Sequence, residues 1–425
     1  MPHATASTTI VEHFRHILVW PLQLVPSSEE QMARHWQKLG SPWRKVEDEF
    51  VSDPAQFQER HYREFVSFLP HVQHFLYGEE YEREAGRGYG QSPISVVRRG
   101  DVKGARVTLG DEAAAIELDV AHVDLYFFHD VDVVLLNVEV VARQLPLAVA
   151  QDVMFRLGRA YPAGWDEHGR ALHCAKRVEW LGAEGEVIAT SDFEKRERYL
   201  AAVCSNRSAE IAAHWEFLLA PMVPHQSKEV GGLRYRHTWR TTASRGWGIS
   251  RCASPLRSRA PTTLGSGLIP GPVRRGCCPI PTHTSHGSRR IIVTIGSTIP
   301  SGERHQECDS HAARGGLTMV TEASPAAIDP ERGLLGEFRH RYFLLFLLAR
   351  FHKAALLMLS DRLAVTVNAL DIADRRSVGR FAQDMRLAME SFLRFTHRYW
   401  FHQVSNQTQA SLSHADEQAR HGATL

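Results

Sequence analysis

The stretch IELDVAHVDLYFFHDVDVVLLNVEVV, residues 116–141, decides the class of fold. Ile116, Leu118, Val120, Val123, Leu125, Phe127 and Phe128 form one apolar series, and Val131 to Val141 form another, with His129-Asp130 between them. Apolar residues at a spacing near two belong to strands, so the stretch predicts a hairpin buried on at least one face. Working outward, Pro146 to Tyr161 has helical spacing, and VEWLGAEGEVIA within 175–190 alternates around Gly182 and Gly185 as a second hairpin. Ser191-Asp-Phe-Glu194 has capping-box spacing ahead of helices that run through Trp215 and Leu219. Residues 91–236 are therefore expected to form an α/β (α+β) domain, with helices packed on a mixed sheet.

Before it, residues 1–90 are expected to be short helices. Ser27-Ser-Glu-Glu30 precedes Met32, Trp36 and Leu39, and Asp53-Pro54 offers an N-cap and N1 proline ahead of Phe57, His61 and Phe65. After it, Asp329-Pro330-Glu331 opens a helix with apolar residues at Leu335, Tyr342, Ala349, Leu356, Leu363 and Leu370. The companion series is Phe338, Leu345, His352, Leu359 and Thr366. A second helix from about Ser377 carries Val378, Met385, Phe392 and Tyr399 beside Phe381, Ala388 and Phe395. Residues 321–410 are thus expected to be a long helical hairpin or stalk, with a tail over 411–425.

Across 425 residues, 50 Lys and Arg oppose 48 Asp and Glu, and 43% of residues are apolar, which excludes collagen-like, wholly disordered and small disulfide-stapled classes. The near-zero charge hides a partition. Residues 237–317 hold eleven Arg, no Lys and three acids (Glu303, Glu307, Asp309), a balance of +8 against −6 for the rest. Gly, Pro, Ser and Thr fill 37 of those 81 positions, and Phe, Tyr and Asn are missing. Three readings compete for the stretch. Cys252, Cys277, Cys278, His283, His286, Cys308 and His311 supply zinc-type ligands, but without repeated CxxC or HxxxH spacing. An Arg-rich arm would neutralise phosphates. The composition also matches a GC-rich coding region translated in a shifted frame, which is the favoured reading, so 237–320 is expected to be disordered or out of frame.

Among smaller motifs, Asp130 and Asp132 beside His129 place two carboxylates at a hairpin end, where they would either hold a hard divalent cation or simply be solvated. Gly86-Arg-Gly88-Tyr-Gly90 lacks the strand and helix of a dinucleotide loop. His352, His397 and His402 fall on or near helical seams and are expected to be packing residues. No nucleophile elbow, Walker sequence, HExxH or kinase set occurs, so no enzyme is expected. The N-terminus carries charges through its apolar stretch, unlike a signal peptide, and Tyr342 to Ser360 is interrupted by Arg350, His352 and Lys353. As written, the chain is expected to be cytoplasmic and to span no membrane.

The closing helix ends in FTHRYWFHQVSNQTQA, residues 395–410. With a helix-flanked sheet followed by two long helices, this resembles the cytosolic part of CorA-type divalent-cation transporters. In that family a stalk helix ends in a Ser-Asn-rich segment leading into the first membrane helix, and Ser405-Asn406-Gln407-Thr408 is similar to that junction. Residues 338–363 resemble the helix preceding the stalk, and 91–220 resemble the family's α/β domain in outline. The family's Gly-Met-Asn signature and its two membrane helices have no counterpart here, so the chain is expected to be a truncated, frame-disrupted relative that does not transport alone. The resemblance implies Mg²⁺ as the cation, a homo-oligomer built through the C-terminal helices, and full-length relatives in the inner or plasma membrane. No nucleic-acid partner is expected. The alternative is a soluble binding or regulatory module whose basic arm captures polyanions.

Overall fold

The computed structural model describes residues 9–25, 39–46, 55, 57–78, 92–128, 131–226, 233–237, 290–297, 316–322, 324–329 and 333–405. Among the described residues twelve strands form one sheet: β1 (Ile10–Val25), β2 (Trp43–Lys45), β3 (Ile94–Arg99), β4 (Gly104–Thr108), β5 (Ile116–Phe128), β6 (Val133–Pro146), β7 (Arg177–Leu181), β8 (Val187–Thr190), β9 (Val223–Pro224), β10 (Arg234–His237), β11 (Arg290–Ser297) and β12 (Gly316–Glu322). The main path runs β12-β11-β1-β6-β5-β4-β7-β8, with β3 also on β5, β2 on β3, and β10 joining β1 to β9. The sheet is mixed, because β1 lies parallel to β11 and antiparallel to β6. The helices are α1 (Glu59–Ser67), α2 (Pro70–Tyr77), α3 (Leu147–Arg156), α4 (Arg196–Asn206), α5 (Ala213–Leu219), α6 (Pro325–Ile328), α7 (Leu334–Glu337), α8 (Phe343–Asn368) and α9 (Arg375–Arg394).

The β5–β6 hairpin forms as its periodicity requires, with Phe128 opposite Val133 and Val123 opposite Val138. Its alternate residues feed two cores. Leu118, Val123, Leu125, Phe127, Val134, Leu136 and Val138 face one side, where Trp20, Trp180 and Trp215 pack edge to face with α3 and α5. Each buried indole N–H of Trp180 and Trp215 finds a carbonyl, His214 O at 2.8 Å and Arg159 O at 2.9 Å, so these rings enter the core without an orphaned donor. Phe128, Val133 and Leu135 face the other side with Ile17 and Val19, under Phe343, Leu347, Phe351 and Ala355 of α8.

The largest departure from expectation is at the N-terminus. Residues 1–90 are not purely helical: Ile10–Val25 is the central strand, paired with β6 from Ile10 to Gln23. A strand buried on both faces loses strict alternation, and Pro21 argues further against one. Pro21 is tolerated at a break between partners, where β11 ends opposite Val19 and β10 begins opposite Leu22. The helix expected from Asp53-Pro54 begins instead at Glu59, with Gln58 as N-cap. The Ser27–Glu30 capping box and the Gly86–Gly90 loop lie outside the described residues.

The second hairpin forms as β7–β8, with Gly185 at φ +80° supplying the left-handed turn residue. Ser191–Glu194 does not cap its own helix. Ser191 Oγ accepts from Val178 N at 3.0 Å, and Asp192 Oδ1 accepts from Ala213 N at 2.8 Å, the start of α5.

The C-terminal helices also depart from a free stalk. The helix begins at Leu334 rather than Asp329 and runs through a π-helical stretch at Phe338–Tyr342 to Asn368, 35 residues or about 52 Å. Its first half lies on the sheet, and only beyond Ser360 does it become mostly exposed. By length and composition this is the one described helix apolar enough to cross a membrane, yet 72% of its most apolar window is buried inside the protein. β11 and the first five residues of β12 fall inside 237–320, so the stretch expected to be disordered or out of frame contributes sheet edge at those positions. The remainder of that stretch, with its Cys and His set, and the tail over 411–425 lie outside the described residues.

Candidate functional site

Of the two carboxylates expected at the hairpin end, Asp130 lies outside the described residues, as does His129. Asp132 closes the turn into β6 at φ +49° and is only 2% exposed, so the turn is not solvated at this residue. Its backbone oxygen accepts from Leu24 N at 2.9 Å, and its carboxylate is gripped by Arg362 of α8. Next to it, Arg236 of β10 lies 3.7 Å from Asp361. The two pairs have opposite polarity and fasten α8 where it leaves the sheet. A carboxylate held by a guanidinium is a poor ligand for Mg²⁺, and among the described residues no group of three His, Cys, Asp or Glu side chains gathers as a metal site. The described donor set does not fit a resident Mg²⁺.

A second polar constellation, unforeseen in the sequence, occupies the end of the α8-facing side of the sheet. Opposed residues on antiparallel strands share a face, and this places His122, Glu139 and Ile17 in one row and Arg98, Asp124, Asn137 and Val19 in the next. Arg98 grips Asp124 with two hydrogen bonds, Nε–Oδ1 at 2.7 Å and Nη2–Oδ2 at 3.0 Å. Glu139 is ringed by basic groups: Arg15 bonds it directly, while Arg339 Nε and His122 Nε2 each stand 3.8 Å away. His13 and Arg143 are paired beyond Arg15 on the same face.

The site is electropositive. His13 is pushed down to about 4 by burial and then by Arg15, Arg143 and Arg339. His122 is likewise pushed down to about 4, by burial first and then by Arg98, Arg339 and Arg15. Both imidazoles are therefore neutral at neutral pH. Composition carries no sign of this group, because Arg15 and Glu139 are 124 residues apart. The available signal was the i, i+2 spacing of His13 and Arg15, which a strand reading of residues 10–25 would have put on one face.

Of the three seam histidines, His352 is a packing residue, 2% exposed, with Nε2–H donating to Tyr399 O at 2.6 Å. His397 and His402 are exposed instead. The Ser405 of the junction-like segment is buried and donates to Ser67 O at 2.6 Å, while Asn406 onward lies outside the described residues. No family model, curated protein or solved structure matches this chain.

Proposed function

We propose that the chain is a non-enzymatic assembly module, the cytosolic α+β part of a CorA-like divalent-cation transporter, with the cation as cargo of the assembled protein. The observation that carries this reading is the apolar surface left on the helix pair. Along α9 Ser377 and Ala388 are buried and Phe381 is half-buried, and just past its end Phe395 packs on Phe351 of α8. Val378, Met389, Phe392 and Leu393 fall on the neighbouring flank, within about 100° of arc at 100° per residue, and are 37–48% exposed. Leu363 and Val367 add 36% and 55% exposure on the free end of α8. A monomer leaves such a flank wet, whereas association of copies through these helices would remove it from water.

The competing reading, an arm over 237–317 that captures polyanions, has part of its length built into the sheet as β11. Light scattering on the purified full chain tests the assembly. Copies are expected to associate, and Phe392→Glu with Leu393→Glu is expected to give monomers whose circular dichroism matches the parent. A parent chain that stays monomeric at its highest attainable concentration would remove the reading.

A further inference from the structure

The polar end of the sheet carries more positive charge than its own carboxylates neutralise. Arg15, Arg143 and Arg339 supply three charges, Glu139 and the exposed Asp119, which shares a row with Val141 and Arg15, return two, and Arg98 and Asp124 compensate each other. With His13 and His122 neutral, the local balance is +1.

A second observation concerns hydrogen bonding. His13 and Arg15 are each only 8% exposed, yet His13 Nε2 and Arg15 Nε have no hydrogen-bond partner among the described residues, and neither has the buried His122 Nδ1. A buried polar atom without a partner costs about 1–3 kcal/mol, so three of them on one electropositive face mark a place where a partner belongs. The rim is open: the side chains of Arg339 and His122 are 28% and 27% exposed, and Arg143 stands in solvent at the end of β6.

We infer that this end of the sheet binds a small phosphate-bearing anion, held by Arg15, Arg339 and Arg143 above the neutralised Glu139, with His13 and His122 completing its hydrogen bonds. The chemistry follows from the residue types. Guanidinium groups offer paired N–H donors that match phosphate oxygens, and a neutral imidazole donates from one nitrogen. Glu139 selects against bare cation repulsion in the free protein: it holds Arg15 and Arg339 together so that the anion meets preassembled donors. The inference does not depend on assembly through α9.

Isothermal titration with inorganic phosphate and with pyrophosphate, at constant ionic strength set by chloride, tests it. Arg15 is too deeply placed to be a safe substitution, so the variants are Arg339→Gln and Arg143→Gln on the rim, with the remote, exposed Arg177→Gln as control. The parent and the control are expected to bind alike, and each rim variant is expected to weaken binding about tenfold or more, the loss of one charge-assisted contact. Phosphate stabilises proteins generally through exclusion from their surfaces, so thermal shifts must be compared across the variants. No binding heat in the parent, or equal affinity in the parent and both rim variants, would overturn the site.

Discussion

His214 sits with no exposure among Trp180, Phe193 and Trp215, its ring centroid 6.1, 5.3 and 5.2 Å from theirs. Burial pushes it down to about 3 against a slight upward pull from Asp192, and burial alone pushes His16 down to about 4. Both imidazoles take up a proton only when the chain unfolds. Their contribution to stability is therefore whole above about 6.5, the unfolded value, and is lost as pH falls from there toward 4 and 3. Each group gives a slope of about 1.4 kcal/mol per pH unit once the unfolded form is fully protonated. Urea midpoints are expected to fall between pH 7.5 and 5, and His214→Phe is expected to flatten that fall by one proton's worth. Neither ring nitrogen of His214 has a hydrogen-bond partner among the described residues, so the substitution itself costs little. An unchanged slope in His214→Phe would count against the assignment. At this scale the sequence is least legible. Twenty-four histidines look alike along the chain. What separates His214 from the exposed His402 is the indole wall around it, which is assembled from β7 and α5.

Elements were legible wherever one periodicity dominated, as in β5, β6, β7, β8 and α3, and illegible where two demands overlapped. β1 must bury Phe14, Leu18 and Trp20 on one face while carrying His13 and Arg15 on the other, so its apolar and charged residues mix without a clean period. α8 satisfies a heptad spacing, but the sheet uses the residues around it: Phe351 stacks on Phe128 at 4.1 Å and 15°, which turns an expected stalk seam into a core contact. Its path is set at the far end by Asp132 and Arg362. Asp132 is 2% exposed on its side chain and Arg362 is 26% exposed, so the carboxylate bears most of the desolvation. Asp132→Asn keeps a side chain that tolerates positive φ while removing the charge, and is expected to cost about 2 kcal/mol. Arg362→Gln should cost a similar amount. Because both remove the same pair, the double variant is expected to fall short of the sum by about 1 kcal/mol or more in urea midpoints. Additive costs would show that Asp132 acts through its turn alone.

At the scale of the whole molecule, the sequence suggests an α/β domain over 91–236 followed by a separate helical part over 321–410, and the packing joins them. Leu335, Phe346, Phe351 and Phe395 from the C-terminal part share one cluster with Ile17 and Val19 of β1, Phe75 of α2, and Phe128 and Leu135 of β5 and β6. Those three strands also carry the opposite core on their other face, through Leu18, Leu125 and Val138. Two cores that share a backbone should unfold together, because opening either one removes the support of β1, β5 and β6. Phe351→Ala tests the coupling. The ring is fully buried and contacts Phe75, Phe128, Phe395 and Tyr399, so its removal is expected to cost about 3–5 kcal/mol. Native-state hydrogen exchange then separates the two architectures. A single cooperative unit predicts that the slowest amides of β7, whose Val178 and Trp180 belong to the opposite core, lose as much protection as those of α8. Loss confined to α8 and α9, with β7 unchanged, would mean that the helices dock on a sheet that stands without them.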